Sequence, residues 1–450
     1  MSIYLPDSTV ICSTLVELLR FRSQHQPDQQ AYIFLQDDEG EARSITYKEL
    51  DQQACIIACE LQRAVPAGAR ALLLHAPGLE YIAAFFGCLY AGVIAVPAYP
   101  PRLNRSLSRL QAVISDAKAT VALTSAQIFA TVERRFQDTP DLKNLRWLLT
   151  DTLSASTDEI WQKPVISGDA LAFLQYTSGS TADPKGVMLS HTNLLHNSAL
   201  LYEKFEFSRS SLLVSWAPPF HDMGLILGIL QPLFGGFPAT LMSPFAFAQH
   251  PLRWLEVISA YKATATCAPN FAFDLCASKV TAAQLAILDL SSLQVAVNAA
   301  EPVRVETLEL FTRTFAPCGF RGEAFNPAYG LAEATLAATV SRRSAAPVIY
   351  SVQKAFLEHD RVVSASISDR GVQQLVGCGQ CFPGQTIIIV NPETNLVCPV
   401  DQVGEIWLAG PSVTQGYWNH PEETEQVFRG YVADTGEGPF MRTGDLGFLR

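Results

Sequence analysis

One run of twelve residues carries the strongest signal in this sequence: Tyr176-Thr177-Ser178-Gly179-Ser180-Thr181-Ala182-Asp183-Pro184-Lys185-Gly186-Val187. Its hydroxyl groups, glycine and lysine supply donors for several phosphate oxygens at once. The run is not a Walker A loop, because Pro184 precedes Lys185 and Gly186 follows it. It lies between two strand-like runs, 171–175 and 187–189, and does not open a helix. The pattern favours a phosphate-binding loop over an ordinary polar surface turn.

The residues on either side of this run alternate between helical and strand patterns. Amphipathic helices are predicted at 14–24 and 50–63, with a short buried strand at 71–75, and the same texture continues to about residue 340. Continuous apolar strands separated by helices indicate parallel pairing with helices on both faces. Beyond 340 the pattern changes to short strands with turns between them, such as 385–390 and 404–409. We therefore predict an α/β fold with two doubly wound α/β subdomains, 1–165 and 166–340, and a smaller β-rich subdomain, 341–450.

Composition excludes several classes of protein. With 450 residues, 48% hydrophobic and 17% charged, the chain can bury a large core and is not a disordered protein. Its net charge of −11 argues against a generic nucleic-acid surface or an anionic-membrane anchor. Two uncharged stretches, 81–101 and 223–249, are long enough to span a bilayer. Each is interrupted by glycine and proline, so we predict buried core segments and no membrane span.

The first residues resemble no secretory signal, because they lack a basic segment and an apolar one. Ten cysteines are scattered along the chain, and only Cys378 and Cys381 have metal or redox spacing. A zinc site needs a second pair, which the sequence lacks, so a structural or redox role for this pair is disfavoured. Scattered thiols without a secretory signal predict a cytoplasmic protein.

A second motif is His221-Asp222 within residues 218–225, directly before the uncharged stretch 223–249. The pair could be a metal pair, a catalytic dyad or a helix cap. A polar pair at the mouth of an apolar segment is also the layout that holds a carboxylate head while its tail enters a channel.

A third motif is Asn326-Pro327-Ala328-Tyr329-Gly330-Leu331-Ala332-Glu333-Ala334-Thr335. Tyr329 beside Gly330 offers a ring face to a nucleobase at close approach. Glu333 offers one hard oxygen, which suffices for Mg²⁺ when phosphates and water supply the other ligands. Asp445, in Arg442-Thr443-Gly444-Asp445, could accept hydrogen bonds from both ribose hydroxyls. Each motif alone is weak evidence, and their occurrence in this order is the stronger observation.

The ordered set resembles the adenylate-forming superfamily of acyl-CoA synthetases, non-ribosomal adenylation domains and luciferases, and within it the fatty acyl-AMP ligases. The resemblance runs from about Leu15 to Arg450. Further matching segments are 96–102, 268–272, 298–303, 404–407 and 416–418. It implies that ATP and a fatty acid react to acyl-adenylate and pyrophosphate, with Mg²⁺ present. The acyl group would then pass to the phosphopantetheine of an acyl carrier protein in polyketide or non-ribosomal peptide synthesis.

The resemblance also implies residue roles. Catalysis would involve Thr177, Lys185, His221 and Glu333, with Glu333 as the metal ligand. The expected nucleotide-binding residues are Thr177, Ser178, Gly179, Ser180, Thr181, Ala300, Glu301, Asn326, Ala328, Tyr329, Gly330, Leu331 and Asp445. The expected substrate-binding residues are His221, Asp222, Met223, Gly224 and Asn270, with the acyl pocket near 223–249 and 268–276. Ala332 stands where many relatives carry threonine, so a phosphate contact from that hydroxyl is not expected here.

Two features concern the far end of the chain. Thr335 and Gly404 are separated by 68 residues, and the excess falls around 349–376. The resemblance implies an insertion that restrains a C-terminal domain and disfavours transfer to CoA. The chain ends five residues after Asp445, whereas relatives continue through a hinge into a mobile domain with a further catalytic lysine. We therefore expect binding of ATP, acyl-AMP and fatty acid with slow turnover.

Two alternatives remain open from the sequence. One is a long-chain acyl-CoA synthetase, which would form acyl-CoA when CoA is added. The other is a non-catalytic module that binds acyl-AMP or another nucleotide, which would show no ATP–pyrophosphate exchange.

Overall fold

The computed structural model describes residues 3–6, 10–36, 42–101, 107–134, 140–154, 161–176 and 184–450. The chain forms two compact units. The first comprises Met1–Tyr202, Phe207–Gln249 and Tyr417–Asn419, and the second comprises Glu203–Glu206, His250–Gly416 and His420–Arg450. The subdomain boundaries that the sequence predicts near residues 165 and 340 stay predictions.

The strands of the first unit are mostly short and apolar. They are β1 (Ile3–Tyr4), β2 (Ile11–Cys12), β3 (Gln30–Leu35), β4 (Arg43–Thr46), β5 (Arg70–Leu74), β6 (Ile94–Pro97), β7 (Val121–Thr124), β8 (Arg146–Leu149), β9 (Leu171–Tyr176), β10 (Gly186–Ser190), β11 (Leu213–Ser215) and β12 (Ala239–Met242). Six of them pair in the order β10-β9-β6-β5-β7-β8, in parallel except for β9 with β10. Another run pairs in the order β11-β12-β3-β4. The parallel pairing confirms the predicted α/β class.

The helices of this unit follow the predicted periodicity. They are α1 (Leu15–His25), α2 (Tyr47–Ala64), α3 (Leu79–Tyr90), α4 (Ser108–Ala117), α5 (Ala126–Glu133), α6 (Pro140–Lys143), α7 (His191–Lys204), α8 (Gln231–Gly235) and α9 (Pro244–Gln249). A π-helix, Met223–Leu230, runs directly into α8, and a 3-10 turn lies at Thr150–Thr152. Helix α2 begins at a capping box in which Thr46 and Glu49 satisfy each other's backbone N–H groups.

Both uncharged stretches are core segments, as the sequence predicts. The first forms α3, whose residues are almost all buried, and then strand β6. The second forms the π-helix, α8, β12 and α9 in succession; Gly236 ends α8 in a left-handed conformation, and Pro244 begins α9. Among the described residues, no helix combines the length and the apolar character needed to cross a bilayer.

The second unit has strands β13 (Ala265–Ala268), β14 (Val295–Asn298), β15 (Phe325–Gly330), β16 (Ala337–Val340), β17 (Ile349–Gln353), β18 (Val372–Val376), β19 (Gln380–Cys381), β20 (Thr386–Val390), β21 (Gly404–Ala409) and β22 (Met441–Gly447). Its helices are α10 (Leu252–Tyr261), α11 (Asn270–Lys279), α12 (Ala282–Leu285), α13 (Val305–Phe315), α14 (Lys354–Leu357) and α15 (Pro421–Phe428). Three 3-10 turns lie at Ala316–Cys318, Gly322–Ala324 and Ala332–Ala334.

Strands β13, β14 and β15 pair in parallel, and β16 and β19 continue the order in antiparallel fashion. Aromatic rings join this sheet to its covering helices: Phe273 of α11 lies 5.1 Å from Phe311 of α13 and 5.0 Å from Phe325 of β15, measured between ring centroids. This packing fixes the loops that leave the carboxyl ends of the parallel strands. A separate antiparallel sheet, β20-β21-β22, carries Asp445.

Candidate functional site

The two ends of the phosphate-loop run are held by an antiparallel strand pair in the first unit. Tyr176 of β9 is the register partner of Gly186 of β10. The Tyr176 hydroxyl donates to Asp116 Oδ2 at 2.5 Å, and a Cβ on Gly186 would lie 2.9 Å from Tyr176 Cζ. Glycine is therefore required where the loop returns to the sheet. Thr177, Ser178, Gly179, Ser180 and Thr181 lie outside the described residues, so their predicted phosphate contacts stay predictions.

Lys185 follows Pro184, which is the first described residue after the loop. Its Nζ lies 5.4 Å from the centroid of the Tyr417 ring, which is a cation–π geometry. The segment 417–419 belongs to the same unit and pairs with β10: Trp418 N donates to Gly186 O at 2.8 Å. The ring of Trp418 faces Arg70 at 5.4 Å. Lys185 thus lies against an anchored aromatic segment, which limits the positions that its ammonium group can reach.

The loop that carries His221 is fixed by buried polar groups of the first unit. Tyr81 donates its hydroxyl to Pro219 O at 2.8 Å, and Gln175 Nε2 donates to Phe220 O at 3.0 Å. The Tyr99 ring lies 4.4 Å from the Phe220 ring. These contacts hold the loop backbone while the His221 side chain remains half-exposed.

His221 and Asp222 form a close pair with two functions. His221 Nδ1 lies 2.6 Å from Asp222 Oδ1, and the same oxygen accepts from Met223 N at 2.6 Å, at the start of the π-helix. The hydrogen bond to Asp222 raises the pKa of His221 above its usual value, against the opposing effect of burial. Of the alternatives left open by the sequence, the capping role is confirmed, and the contact with a fatty carboxylate stays a prediction.

The backbone of the preceding loop closely approaches Gly224 and leaves no room for a side chain. A Cβ at this position would lie 2.0 Å from Pro218 O, so a larger residue would displace the His221 loop itself. Met223 and the remaining π-helical residues are buried. The sequence predicted an apolar segment here, and the structure adds that Gly224 sets the approach of that segment to the loop.

Three predicted site segments follow the carboxyl ends of adjacent parallel strands in the second unit. Asn270 follows β13, Ala300 and Glu301 follow β14, and Leu331 to Glu333 follow β15. Ligands of open α/β sheets bind at this edge. Ala300 has a backbone φ of 71°, a left-handed conformation that is uncommon for alanine. These three segments, which are far apart in the sequence, therefore lie at the same edge of one sheet.

Asn270 and Glu301 support this edge. The Asn270 amide donates to Pro302 O at 2.8 Å and accepts from Asn298 Nδ2 and Arg304 N, both at 3.1 Å. The Glu301 carboxylate accepts from Phe271 N at 3.2 Å, at the first turn of α11. Asn270 thus shapes the loop after β14, and its direct contact with substrate stays a prediction.

Tyr329 and Asp445 come together although 116 residues separate them. The Tyr329 hydroxyl donates to Asp445 Oδ2 at 2.7 Å. Burial raises the pKa of Tyr329 above its usual value, and the neighbouring Asp445 carboxylate also raises it, so the phenol stays protonated at neutral pH. Asn326 is buried, and its Oδ1 has no hydrogen-bond partner among the described residues. Tyr329 thus offers a ring face, Asp445 a carboxylate and Asn326 an amide acceptor. Ala328 and Gly330 lie in the same strand, β15, as Tyr329 and Asn326.

Glu333 lies half-buried in the 3-10 turn Ala332–Ala334. Its carbonyl oxygen accepts from Thr414 N at 2.8 Å. Among the described residues, no three His, Cys, Asp or Glu side chains form a metal-binding group. A single carboxylate such as that of Glu333 can hold Mg²⁺ when phosphate and water supply the other ligands, and this role of Glu333 stays a prediction.

The residues that fix these groups were not predicted as site residues. Tyr81 and Gln175 hold the His221 loop, and Tyr417 faces Lys185. Gln175 gave a weak signal, since it is the polar member of the otherwise apolar run 171–175. No local pattern marks Tyr81, because its role depends on a contact 138 residues away.

Comparison with known proteins agrees with this arrangement. AMP-binding enzymes, as a family, match residues 19–418. The medium-chain-fatty-acid–[acyl-carrier-protein] ligase JamA of Moorena producens is 48% identical over 444 residues, covering 97% of this chain and 75% of JamA. FadD21 of Mycobacterium tuberculosis, whose name gives it as a fatty-acid–CoA ligase, is 37% identical over 97% of this chain and 77% of its own length.

A solved structure supports the same assignment. The crystal structure of fatty acyl-adenylate ligase from Legionella pneumophila, in complex with acyl adenylate and pyrophosphate, matches with a TM-score of 0.93 and 42% identity. The match covers 99% of this chain and 77% of that one. Since the family matches most of the chain and its relatives align over nearly all of it, the chain belongs to the AMP-binding enzyme family, in the branch of its fatty acyl-AMP ligases.

Proposed function

We propose that this chain activates a medium- to long-chain fatty acid with ATP, giving acyl-adenylate and pyrophosphate, and that the acyl group then passes to the phosphopantetheine of an acyl carrier protein. The observation that carries the proposal is 48% identity over 97% of the chain to a medium-chain-fatty-acid–[acyl-carrier-protein] ligase. The pairing of Tyr329 with Asp445 at a nucleotide-type sheet edge supports it independently.

The reaction is attack of a carboxylate oxygen on the α-phosphorus of ATP. A new oxygen–phosphorus bond forms as the bond to the β-phosphate bridge breaks, and pyrophosphate leaves with the electron pair. A fatty carboxylate is already ionised at neutral pH, so no general base is needed. Catalysis then consists mainly of positioning and of stabilising the charge on the phosphate oxygens.

The nucleotide half of the proposal assigns roles to residues of the second unit. Tyr329 offers its ring to adenine, the orphan Oδ1 of Asn326 accepts from an amino group, and Asp445 accepts from the ribose. Ala300 and Glu301 line the same edge of the sheet. The role proposed for Lys185, which belongs to the first unit, is to supply a positive charge to the phosphates, and its Nζ lies 5.4 Å from the centroid of the Tyr417 ring.

Mg²⁺ would be held by the Glu333 carboxylate. When bound, this ion neutralises negative charge on the phosphate oxygens. The chain's own contribution is to hold Glu333 in a rigid turn, through Thr414.

The residues proposed to bind the fatty acid belong to the first unit. The half-exposed imidazole of His221, its pKa raised by Asp222, favours a negatively charged head group. The buried π-helix that follows offers apolar surface for the tail, and each buried CH₂ contributes about 0.8 kcal/mol. The proposed location is cytoplasmic, with which the absence of disulfide bonds among the described cysteines is compatible.

The experiment that tests the proposal is mass spectrometry of the products formed from ATP, Mg²⁺ and fatty acids from octanoate to palmitate. Parallel reactions contain CoA or a pantetheinylated carrier protein. We expect acyl-AMP and pyrophosphate in every reaction and no acyl-CoA. Acyl-CoA as the main product would favour the second candidate, a fatty-acid–CoA ligase, which the name of the FadD21 relative supports.

A single substitution tests the metal role. Glu333→Ala should lower fatty-acid-dependent pyrophosphate release at least about a hundredfold, because the phosphate charge loses its neutralising partner. The matched control is Glu323→Ala, which removes an exposed glutamate of the same unit. Near-normal release by Glu333→Ala would contradict the metal role.

A further inference from the structure

We propose that Glu405 is the positioning residue that fixes Asp445 for the ribose, and that it thereby gives this chain its selection for ribonucleotides over deoxyribonucleotides. The inference rests on the proposed function, since it takes Asp445 as the ribose-binding carboxylate. Glu405 is not among the residues expected to contact the nucleotide. It acts on the position of Asp445 through the backbone of residues 443–445.

Asp445 lies in an irregular part of the β21–β22 pairing. Glu405 is the register partner of Leu446, and Trp407 is the partner of Arg442. Only Ile406 therefore stands opposite the three residues 443–445, which bulge out of the strand. Gly444, in the middle, has a φ of 73°, a left-handed conformation that glycine adopts without strain.

The Glu405 carboxylate fills the space beneath this bulge. Its side chain is 8% exposed. Oε1 accepts from Gly444 N at 3.0 Å. Oε2 accepts from Trp407 Nε1 at 2.9 Å and from Arg442 Nε and Nη2, both at 3.2 Å. A buried carboxylate with this many donors, one of them cationic, has its charge balanced in place.

The contacts divide into two groups with different consequences. Trp407 and Arg442 lie where β21 and β22 are paired, so their hydrogen bonds to Oε2 stabilise the pairing of these two strands. The bond from Gly444 N to Oε1 acts on the residue directly before Asp445. Thr443 completes the bulge: its hydroxyl donates to Ile406 O at 2.7 Å, and it accepts from Asp445 N at 3.1 Å.

The bulge delivers the Asp445 carboxylate to Tyr329, whose hydroxyl donates to Oδ2 at 2.7 Å. A carboxylate in a fixed position can accept from both vicinal hydroxyls of a ribose, whereas a mobile one gains less from the second hydroxyl. Discrimination against a 2′-deoxyribose therefore measures how firmly Asp445 is held.

Glu405→Gln isolates this effect, because the shape is kept. A glutamine has one acceptor oxygen and one NH₂ group, so it cannot accept at both positions that face donors. Either Gly444 N or the Arg442 and Trp407 donors then face another donor. The matched control is Trp407→Phe, which removes one donor to Oε2 and leaves the Gly444 contact intact.

The test is isothermal calorimetry of AMP and 2′-deoxyAMP binding to the full chain, with steady-state pyrophosphate release from ATP and 2′-deoxyATP as a second readout. We expect wild type to prefer the ribonucleotide by about tenfold to a hundredfold, as for a hydrogen bond to a charged group. Glu405→Gln should reduce that preference to about threefold or less, mainly through KM, and Asp445→Asn should do the same. Trp407→Phe should lower the melting temperature and keep the wild-type preference.

Two outcomes would overturn the inference in different ways. A Glu405→Gln protein that keeps the wild-type ribose preference would show that Glu405 only stabilises the pairing of β21 with β22, while the proposed function stands. A wild-type protein that binds neither AMP nor 2′-deoxyAMP would overturn the proposed function, and the inference with it. If Glu405→Gln does not fold, Glu405→Asp, which keeps the charge but shortens the side chain away from Gly444 N, must show the loss of preference, and an unchanged preference would overturn the inference.

Discussion

At the scale of single residues, His221 shows how a short-range contact sets a charge. Its imidazole hydrogen-bonds the neighbouring Asp222 carboxylate, which raises its pKa above the usual value of about 6.5. The side chain is half-exposed, so solvent screens part of any attraction to a substrate carboxylate. A protonated His221 attracts the fatty acid head, and the attraction is lost as pH rises through the raised pKa.

This sign leads to a test with octanoate. The KM for octanoate should rise about two- to fivefold between roughly pH 6 and pH 9, the size expected for a half-exposed ion pair. Since the fatty acid is ionised over this whole range, His221 is the group that changes charge. His221→Gln should flatten the profile, and Asp222→Asn should move the rise to lower pH. A His221→Gln enzyme with the wild-type slope would contradict this role.

Residues of the site differ in how far the sequence could predict them. The family resemblance implied that Tyr329 and Asp445 serve one nucleotide, and the structure brings the two side chains together. Glu405, Tyr81 and Gln175 were missed, because each acts on another residue's backbone across a long sequence separation. A pattern in one segment carries no information about such a partner.

At the scale of elements, the turn after Glu333 stores strain. Thr335 has φ 71° and ψ −63°, and Leu336 N donates to Ala334 O at 2.9 Å, which is the rare γ-turn geometry. A β-branched residue in this conformation costs on the order of 1–3 kcal/mol. The buried Thr335 hydroxyl donates to Ser412 O at 2.6 Å and thereby holds the turn closed. The clamp formed by the hydrogen bonds with residues 412–414 explains why a tight turn forms here.

The clamp can be removed without changing the size of the side chain. Thr335→Val should lower the free energy of unfolding by about 1–3 kcal/mol, because Ser412 O is left buried without its donor. It should also raise the Mg²⁺ concentration needed for half-maximal pyrophosphate release, since Glu333 lies in the loosened turn. Thr335→Ser keeps the hydroxyl and should restore both values in denaturant titration and in the release assay. Equal behaviour of the valine and serine variants would refute the clamp.

Parallel pairing was predictable at this scale because continuous apolar runs of four to six residues are typical of strands in a parallel sheet covered on both faces. The order of the strands was not predicted. Helix α1 lies within one residue of the predicted bounds 14–24, and strands β20 and β21 lie within one residue of the predicted 385–390 and 404–409. The π-helix at Met223–Leu230 was not predictable. Its geometry depends on the close approach of Gly224 to Pro218, a contact between elements and not a local preference.

At the scale of the whole molecule, the predicted insertion forms a defined hairpin in the second unit. Strands β17 and β18 pair from Ile349 with Val376 to Gln353 with Val372. The segment between them is tied to the rest of the unit, since Val362 N donates to Asp401 O at 2.7 Å. Arg450 Cζ lies 4.1 Å from the centroid of the Tyr350 ring, and Arg450 Nη1 donates to Ser364 Oγ at 3.2 Å. The hairpin and the segment that it encloses therefore contact Arg450, five residues after Asp445.

The register of the hairpin shows how to shorten it. Replacing residues 354–371 by Asn-Gly joins the paired residues Gln353 and Val372 through a two-residue turn, so that β17 and β18 can stay paired. If the insertion disfavours transfer to CoA, the shortened natural protein should form more acyl-CoA than the parent protein does. Its acyl-AMP formation should stay within about twofold of the parent's, because the nucleotide-binding residues are unchanged. Acyl-AMP formation thus serves as the internal control for folding, and both products are read by mass spectrometry of one reaction. A shortened protein that still makes acyl-AMP but discriminates against CoA as the parent does would place the source of that discrimination outside the hairpin.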